Sequence, residues 1–150
     1  MRNVCHGRAN QRGNSLVEFA ISLPLMVSLF LGVWQFGYSY YLYGRLEAAV
    51  RDGGRYASIA AYDAADPSDY QDRVRNVVLY GDPTGGQAGN VVSPGLRPEQ
   101  VSVAISPAGG PPDAVSVAIN GYQLPGIFSR VVLNGKPAVQ FPFLGHWAPL

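Results

Sequence analysis

The sequence contains few of the residues that build disulfides, metal centres or charged surfaces. Its 150 residues include one cysteine, Cys5, and two histidines, His6 and His146. A single cysteine forms no intrachain disulfide and supplies no thiolate cage for a metal. Only 14% of the residues are charged and the formal net charge is +1, so the sequence predicts no binding of nucleic acid through bulk charge.

Sequence motifs of enzyme active sites are also missing. Ser93 and Ser129 have no histidine or lysine placed as a general base by any recognisable motif, and no glycine-rich phosphate loop leads into a helix. A length of 150 residues suits one modest domain and not a large multi-domain enzyme. The sequence therefore predicts a protein that is not an enzyme and that holds neither a cofactor nor a metal.

An uncharged apolar segment dominates the first third of the chain. From Phe19 to Gly44, 26 residues carry no charge, which as a helix measures about 39 Å against the ~30 Å hydrocarbon core of a bilayer. The sequence thus predicts a membrane-spanning helix with a bend at Pro24. Aromatic residues at its far end suit the membrane interface; they include Trp34, Tyr38, Tyr40 and Tyr41.

A secretory signal peptide explains this start poorly. No small-residue cleavage site follows the apolar run, and Glu18 stands at its head, where a signal peptide rarely carries a carboxylate. Orientation does not follow from charge, because three arginines precede the segment and three follow it closely.

Helical periodicity continues beyond the apolar segment and predicts one long helix. Glu47 and Arg51 stand four residues apart in the favourable order, whereas Arg51 and Arg55 are like charges at the same spacing. Two interpretations of these arginines are open: they bind lipid phosphates at the membrane surface, or they pair with Glu47, Asp52 and neighbouring subunits. One face of this helix is predicted to be buried: Leu42, Leu46, Ala49, Val50, Gly53, Ala57 and Ala60.

A second helix is predicted from Pro67 to about Tyr80, with Asp66 as its N-cap and an end at Gly81. Residues 82–98, rich in glycine and proline, predict a mobile loop. Four aspartates recur every third residue, Asp63, Asp66, Asp69 and Asp72. Calcium ligation is one interpretation, and a helix cap with a solvated acidic first turn is the favoured one.

Alternating apolar residues predict strands in the last third. Residues 101–106 and 115–120 form an expected antiparallel hairpin, with a turn at 107–113. Residues 127–133 are predicted to be helical and to end at Asn134-Gly135, before a third strand at 139–143. The fold class expected is α+β, with a long amino-terminal helix and a small domain containing an antiparallel sheet of about three strands.

Two motifs at the ends of the long helix carry a family resemblance. Residues 12–20 read RGNSLVEFA, with Pro24 in the apolar run that follows, and residues 48–57 read AAVRDGGRYA. This pattern resembles the TadE-like family, minor pseudopilins of the type IV-like Flp (Tad) pilus assembly system. The second motif departs from the usual Arg-Glu-Gly-Ala-Arg-Tyr but keeps Arg51, Arg55 and Tyr56. The TadF and TadG groups share the amino-terminal pattern, and TadF stays open as an alternative.

The resemblance implies a prepilin-type leader, residues 1–13, that a prepilin peptidase removes between Gly13 and Asn14. It further implies a transmembrane and extended helix over residues 14–62 and a periplasmic domain over residues 63–150, held by the inner membrane with the amino terminus cytoplasmic. Implied partners are the prepilin peptidase, TadF- and TadG-like pseudopilins, the major Flp pilin, the inner-membrane platform and membrane lipid.

Glu18 and its neighbour Phe19 are the candidate assembly residues. After cleavage Glu18 is the fifth residue, and a carboxylate at the edge of an apolar stretch needs a partner, which in pilin-like assembly is a neighbour's terminal amine. The alternative is a carboxylate that stabilises the helix start through the macrodipole. Two functions are therefore expected: a minor pseudopilin for pilus assembly in adhesion or secretion, or an uncleaved single-pass anchor bearing a binding module.

Overall fold

Two helices and two small sheets form the regular structure of the residues described by the computed structural model, which are 10–86, 91–106, 112–126 and 130–148. The helices are α1 (Asn10–Ile59) and α2 (Pro67–Tyr80), with a short 3₁₀ turn at Pro98–Gln100. The strands are β1 (Tyr62–Asp63), β2 (Val101–Ser106), β3 (Ala114–Leu124), β4 (Val131–Pro142) and β5 (Trp147–Ala148). The expected α+β class, a long apolar helix before a small domain, is confirmed.

The larger sheet is antiparallel, in the order β2-β3-β4. Its β2–β3 pairing aligns Val103 with Val117, which confirms the predicted hairpin, although residues 107–111 of its turn lie outside the described part of the chain. The sequence did not predict the second sheet, in which β1 and β5 pair in parallel through Tyr62 and Trp147.

By its internal contacts the chain divides into two compact units, Met1–Tyr38 and Ser39–Leu150. The described part of the first unit consists of helix alone, and its residues from Asn14 to Phe30 are all exposed. The second unit contains the hydrophobic core, the other helix and both sheets. The domain limits expected at residues 13 and 62 stay predictions.

The core forms around the inward face of α1 in the second unit. All seven residues of the predicted stripe are buried, including Leu46 and Val50 at 0% exposure, which confirms the helical periodicity. α2 adds Tyr70, Val74 and Val78, and the sheet adds a row of buried apolar side chains. That row comprises Val101, Val115, Val117, Ile119, Tyr122 and Leu124.

Both ends of α2 are fixed by the groups predicted for them. The Asp66 carboxylate accepts hydrogen bonds from the Asp69 backbone N–H at 3.2 Å and from the Ser68 hydroxyl at 2.6 Å. These bonds, the Ser68 bond first, lower the pKa of Asp66. At the other end Gly81 adopts a φ of 76°, and its N–H donates to the Val77 carbonyl at 2.8 Å. Glycine suits this left-handed position because it has no Cβ to clash.

The helix predicted before the third strand is wrong. Val131–Leu133 begin β4, not a helix, because they pair with Tyr122–Leu124 of β3; residues 127–129 of that predicted helix lie outside the described residues. The mobility predicted for the loop at 82–98 stays a prediction, and residues 87–90 of this loop lie outside the described residues. The described part contacts the domain, since Ser93 and Leu96 are 0% and 5% exposed. Ser93 Oγ lies 3.1 Å from the Tyr122 hydroxyl, and this polar contact holds the loop on the core.

Asn134-Gly135 of β4 and Asn120-Gly121 of β3 together interrupt the regular pairing of these two strands. Asn134-Gly135 therefore does not terminate a helix. The Gly135 N–H donates to Asn120 Oδ1 at 2.7 Å, and the Gly121 N–H donates to Asn134 Oδ1 at 3.2 Å. Both glycines have a positive φ, which is 72° at Gly121 and 70° at Gly135. The register of β3 with β4 shifts on each side of Asn120.

Tyr70 joins α2 to the last turn of α1. Its hydroxyl donates to the Ala57 carbonyl at 2.5 Å, and its ring meets the Tyr62 ring edge-on at a centroid distance of 5.2 Å. Carbonyls in the last helical turn have no intrahelical partner, so this bond satisfies one of them. Burial, followed by the nearby Tyr56 and Tyr62, raises the pKa of Tyr70 to about 12.

We predict that Tyr70→Phe lowers the free energy of unfolding at pH 7 by about 1–2 kcal/mol, because the Ala57 carbonyl loses its partner. The wild type should also lose stability between pH 10 and 12. In that range the unfolded tyrosine, with an ordinary pKa of about 10, ionises before the folded one. Tyr70→Phe should lack this part of the loss. Urea unfolding of the full chain in detergent micelles at several pH values tests both effects.

Tyr80→Phe is the matched control for this experiment. Tyr80 is half-buried on the same helix, and its hydroxyl makes no hydrogen bond to the residues that the structure describes. An equal destabilisation of both variants would contradict the role given to the Tyr70 hydroxyl.

Candidate functional site

The amino-terminal part of α1 presents an apolar surface on all sides. It is, among the described residues, the one helix long and apolar enough to cross a membrane. Side chains such as Leu25 and Phe30 are 66% and 67% exposed. Exposure of this extent is unfavourable in water and favourable in lipid or against other apolar helices.

Glu18 and Phe19 lie near the start of this surface, and both are exposed. Glu18 is the first acidic residue of the chain and is one helical turn beyond Asn14. Its carboxylate has no ion-pair partner among the side chains that the structure describes. A carboxylate in this position requires a partner from outside the described chain, or contact with water at the membrane surface.

The predicted cleavage site lies within the backbone of α1, which includes Gly13 and Asn14. Residues 1–9 of the expected leader, with Cys5 and His6, lie outside the described residues. Cleavage between Gly13 and Asn14 stays a prediction.

Pro24 lies inside α1, and the helix continues through it. Proline removes one backbone hydrogen bond from the helix interior. The Ser28 hydroxyl donates to the Pro24 carbonyl at 2.7 Å, and bonds of this kind favour bending of a helix. A bend at Pro24 stays a prediction.

The four aromatic residues predicted for the membrane interface are all exposed. Trp34 is 61% exposed, Tyr38 40%, Tyr40 81% and Tyr41 57%. Large amphipathic rings in such positions suit the headgroup region of a bilayer. Tyr41 also has a cationic neighbour, since the Arg45 guanidinium carbon lies 5.9 Å from the centre of its ring.

The motif at the carboxyl end of α1 has two faces. On the outer face Arg51 pairs with Glu47 at 2.7 Å, one of the two interpretations that the spacing left open, and Arg55 is exposed. On the inner face Tyr56 is half-buried against the core. The motif therefore presents charge outward while it supports the core.

The sequence did not predict the close packing of α1 at Gly53 and Gly54 of this motif. A Cβ on Gly53 would collide with Val78 Cγ2 of α2, and one on Gly54 would lie 2.8 Å from Val139 Cγ2 and 2.9 Å from Phe141 Cδ2 of β4. The two glycines allow α1 to approach α2 and β4 closely. The only signal in the sequence was the adjacent pair itself, in a helix where glycine is unfavourable.

The four aspartates before and within α2 bind groups of the chain itself. Asp63 accepts from the Ala65 N–H at 2.8 Å, and Asp66 caps the helix. Asp69 pairs with Arg73 at 2.9 Å and Asp72 with Arg75 at 2.8 Å. A group of three or more metal-ligating side chains is absent from the part of the chain that the structure describes.

Comparison with known proteins finds a family match that lies within α1. The family model described as TadE-like protein matches residues 13–55, which include Glu18, Arg51 and Arg55. Residues 13–55 are thus similar to the TadE-like family, and the resemblance noted from the motifs is confirmed over this part of the chain. Neither the curated proteins nor the solved structures gave a match. The TadE-like family is a membrane-associated structural component of the Tad pilus system and not a known enzyme family.

We predict that Gly53→Ala lowers the free energy of unfolding by about 1–3 kcal/mol, because its methyl group must displace the buried Val78. Gly44→Ala, in the same helix, is the matched control. A Cβ there meets nothing within 4 Å, so the better helix propensity of alanine should raise stability by about 0.5–1 kcal/mol. Urea unfolding in micelles measures both, and equal signs for the two changes would contradict the close approach at Gly53.

Proposed function

We propose that this chain is a minor pseudopilin of a Tad (Flp) pilus system, needed to assemble or prime pili used in adhesion or secretion. One observation carries the proposal: the TadE-like match at residues 13–55 coincides with an exposed apolar helix that has a lone carboxylate, Glu18, at its start. An anchor alone requires the apolar surface. It does not require a carboxylate at the edge of that surface.

In the proposed mechanism a prepilin peptidase cuts between Gly13 and Asn14. The leader carries Arg2, Arg8 and Arg12, so its removal takes three positive charges from the head of the apolar helix. The new chain starts with the amine of Asn14. This amine and Glu18 then stand at the membrane surface as a cation and an anion on neighbouring turns.

Glu18 sets the axial position of one subunit against the next. Subunits that pack through their apolar helices gain little from hydrophobicity inside lipid, and polar pairs between helices decide their register. A Glu18 carboxylate paired with a neighbour's Asn14 amine would satisfy both charges between chains. The same carboxylate against an apolar neighbour would be costly, and this cost excludes other registers.

The proposed topology places the amino terminus in the cytoplasm and the second unit in the periplasm. The proposed partners are the prepilin peptidase, TadF- and TadG-like pseudopilins, the major Flp pilin and the inner-membrane platform. The exposed aromatics Trp34, Tyr38, Tyr40 and Tyr41 would lie at the level of the outer headgroup region, where Trp34, Tyr38 and Tyr40 contact lipid.

We predict that the protein purified from membranes starts at Asn14 when a prepilin peptidase is co-expressed and at Met1 when it is not. Gly13→Ala should keep the start at Met1 in both cases. Intact mass and amino-terminal sequencing measure the outcome. A start at Met1 with an active peptidase would favour the uncleaved membrane anchor, and a start beyond the apolar segment would indicate a secreted domain.

We predict that Glu18→Gln reduces assembled pili by roughly tenfold or more, because the neighbour's amine loses its counter-charge in an apolar setting. Cleavage at Asn14 should continue. Pili sheared from cells and quantified by immunoblot measure the effect. The control is Glu47→Gln, a change in a carboxylate of the same helix that pairs with Arg51. Normal pilus numbers in Glu18→Gln would favour the alternative in which Glu18 only stabilises the helix start.

A further inference from the structure

A shallow apolar groove lies beside α1 in the second unit. Its volume is about 330 Å³, and α1 and the carboxyl end of α2 form its walls. Apolar lining comes from Ala48, Ala49, Val77 and Val92, while Arg45 and Asp52 lie along the α1 side. Arg45 and Asp52 are separated by seven residues, or about 10.5 Å of helix, and so share one face of α1.

Arg45 and Asp52 are too far apart to pair with each other. Neither has an ion-pair partner within residues 10–86, 91–106, 112–126 and 130–148. Arg55 lies one turn beyond Asp52, yet no ion pair joins them. Glu47 and Arg51, on another face of the same turns, pair with each other at 2.7 Å. Arg45 and Asp52 thus remain as two opposite charges beside an apolar groove.

Two pairs of residues on this face of α1 have the same spacing. Tyr41 precedes Arg45 by four residues, Ala48 precedes Asp52 by four residues, and the second pair lies seven residues after the first. Tyr41 is 57% exposed, and its ring lies against the Arg45 guanidinium at 5.9 Å. If a second α1 lay parallel and were displaced outward by seven residues, its Tyr41 would meet Ala48 of the first helix. Its Arg45 would then meet Asp52 of the first helix.

We propose that the groove beside Ala48 binds Tyr41 of a second copy of this chain, in a parallel dimer staggered by about seven residues. This inference rests on the proposed function, because copies anchored in one membrane by the same helix must be parallel. Charge complementarity selects the stagger. In register, Arg45 would face Arg45 and Asp52 would face Asp52, and like charges repel.

The direction of this stagger agrees with the pairing proposed for Glu18. Counted along the chain, a Glu18–Asn14 pair displaces the outer copy by four residues, in the same sense as the Asp52–Arg45 pair. At a stagger of seven residues, the Asn14 amine of the outer copy lies three residues, about 4.5 Å of helix, beyond the Glu18 position of the first copy.

Disulfide cross-linking of the full chain in membranes tests the stagger. Two differently tagged copies in a Cys5→Ser background would be co-expressed with the peptidase, one carrying Gly37→Cys and the other Gly44→Cys. Both positions have open space for a Cβ and are seven residues apart, and Tyr41 and Ala48 stay in place. Oxidation should join the two tags. Either variant expressed alone should cross-link roughly tenfold less, because equivalent cysteines in staggered copies lie beyond the ~7 Å Cα separation that a disulfide spans.

A charge exchange tests the specificity of the contact. Arg45→Asp in the Gly37→Cys copy should lower the cross-linked yield by roughly threefold or more, and Asp52→Arg in the Gly44→Cys copy should restore it. Arg51→Asp in the Gly37→Cys copy is the control, since Arg51 lies on another face, and should leave the yield unchanged. Failure of the second change to restore the yield would overturn the ion pair.

The other outcomes separate this inference from the proposed function. Cross-linking of Gly44→Cys alone would indicate an in-register dimer and overturn the stagger. Absence of any cross-link from a chain that starts at Asn14 would overturn the dimer, since another partner then covers the groove, and would leave the pseudopilin function standing. A chain that still starts at Met1 would overturn the proposed function whatever the cross-linking pattern.

Discussion

The close approach of α1 to its neighbours is the constraint on which the second unit depends. Gly53 meets Val78 of α2, and Gly54 meets Val139 and Phe141 of β4, at distances that admit no side chain. α2 and β4 can both pack against the buried face of α1 only because Gly53 and Gly54 lack a Cβ. Glycine in a helix interior costs roughly 0.5–1 kcal/mol of helix propensity, so packing outweighs the local preference of the chain here.

The sheet solves a second packing problem through its irregularity at Asn120-Gly121. Residues 115, 117 and 119 of β3 are buried, and after the irregularity the buried residues are Tyr122 and Leu124. In a regular strand these two side chains would point to the opposite face, because alternation has a period of two. The extra residue reverses the alternation, so that Tyr122 returns to the core and supports the loop at Ser93.

Local patterns predicted those elements whose causes are local. The stripe of α1 follows from helical spacing, and α2 follows from Asp66, Pro67 and Gly81 at its ends. The start of β4 was not predictable in this way, since Val131–Leu133 are apolar without alternation and become a strand by pairing with β3. The close packing at Gly54 depends on Val139 and Phe141, which lie about 85 residues further along the chain. Likewise, the sequence isolates Glu18 as a lone carboxylate, whereas its role depends on other chains.

The exchange of hydrogen bonds between Asn120-Gly121 and Asn134-Gly135 affects the chemical lifetime of the protein. An asparagine followed by glycine deamidates readily, because the glycine nitrogen attacks the side-chain carbonyl carbon to form a succinimide. In this sheet each of these glycine nitrogens donates its hydrogen to the other asparagine. Each nitrogen is therefore directed away from its own asparagine side chain, so the native fold slows deamidation at these two sites.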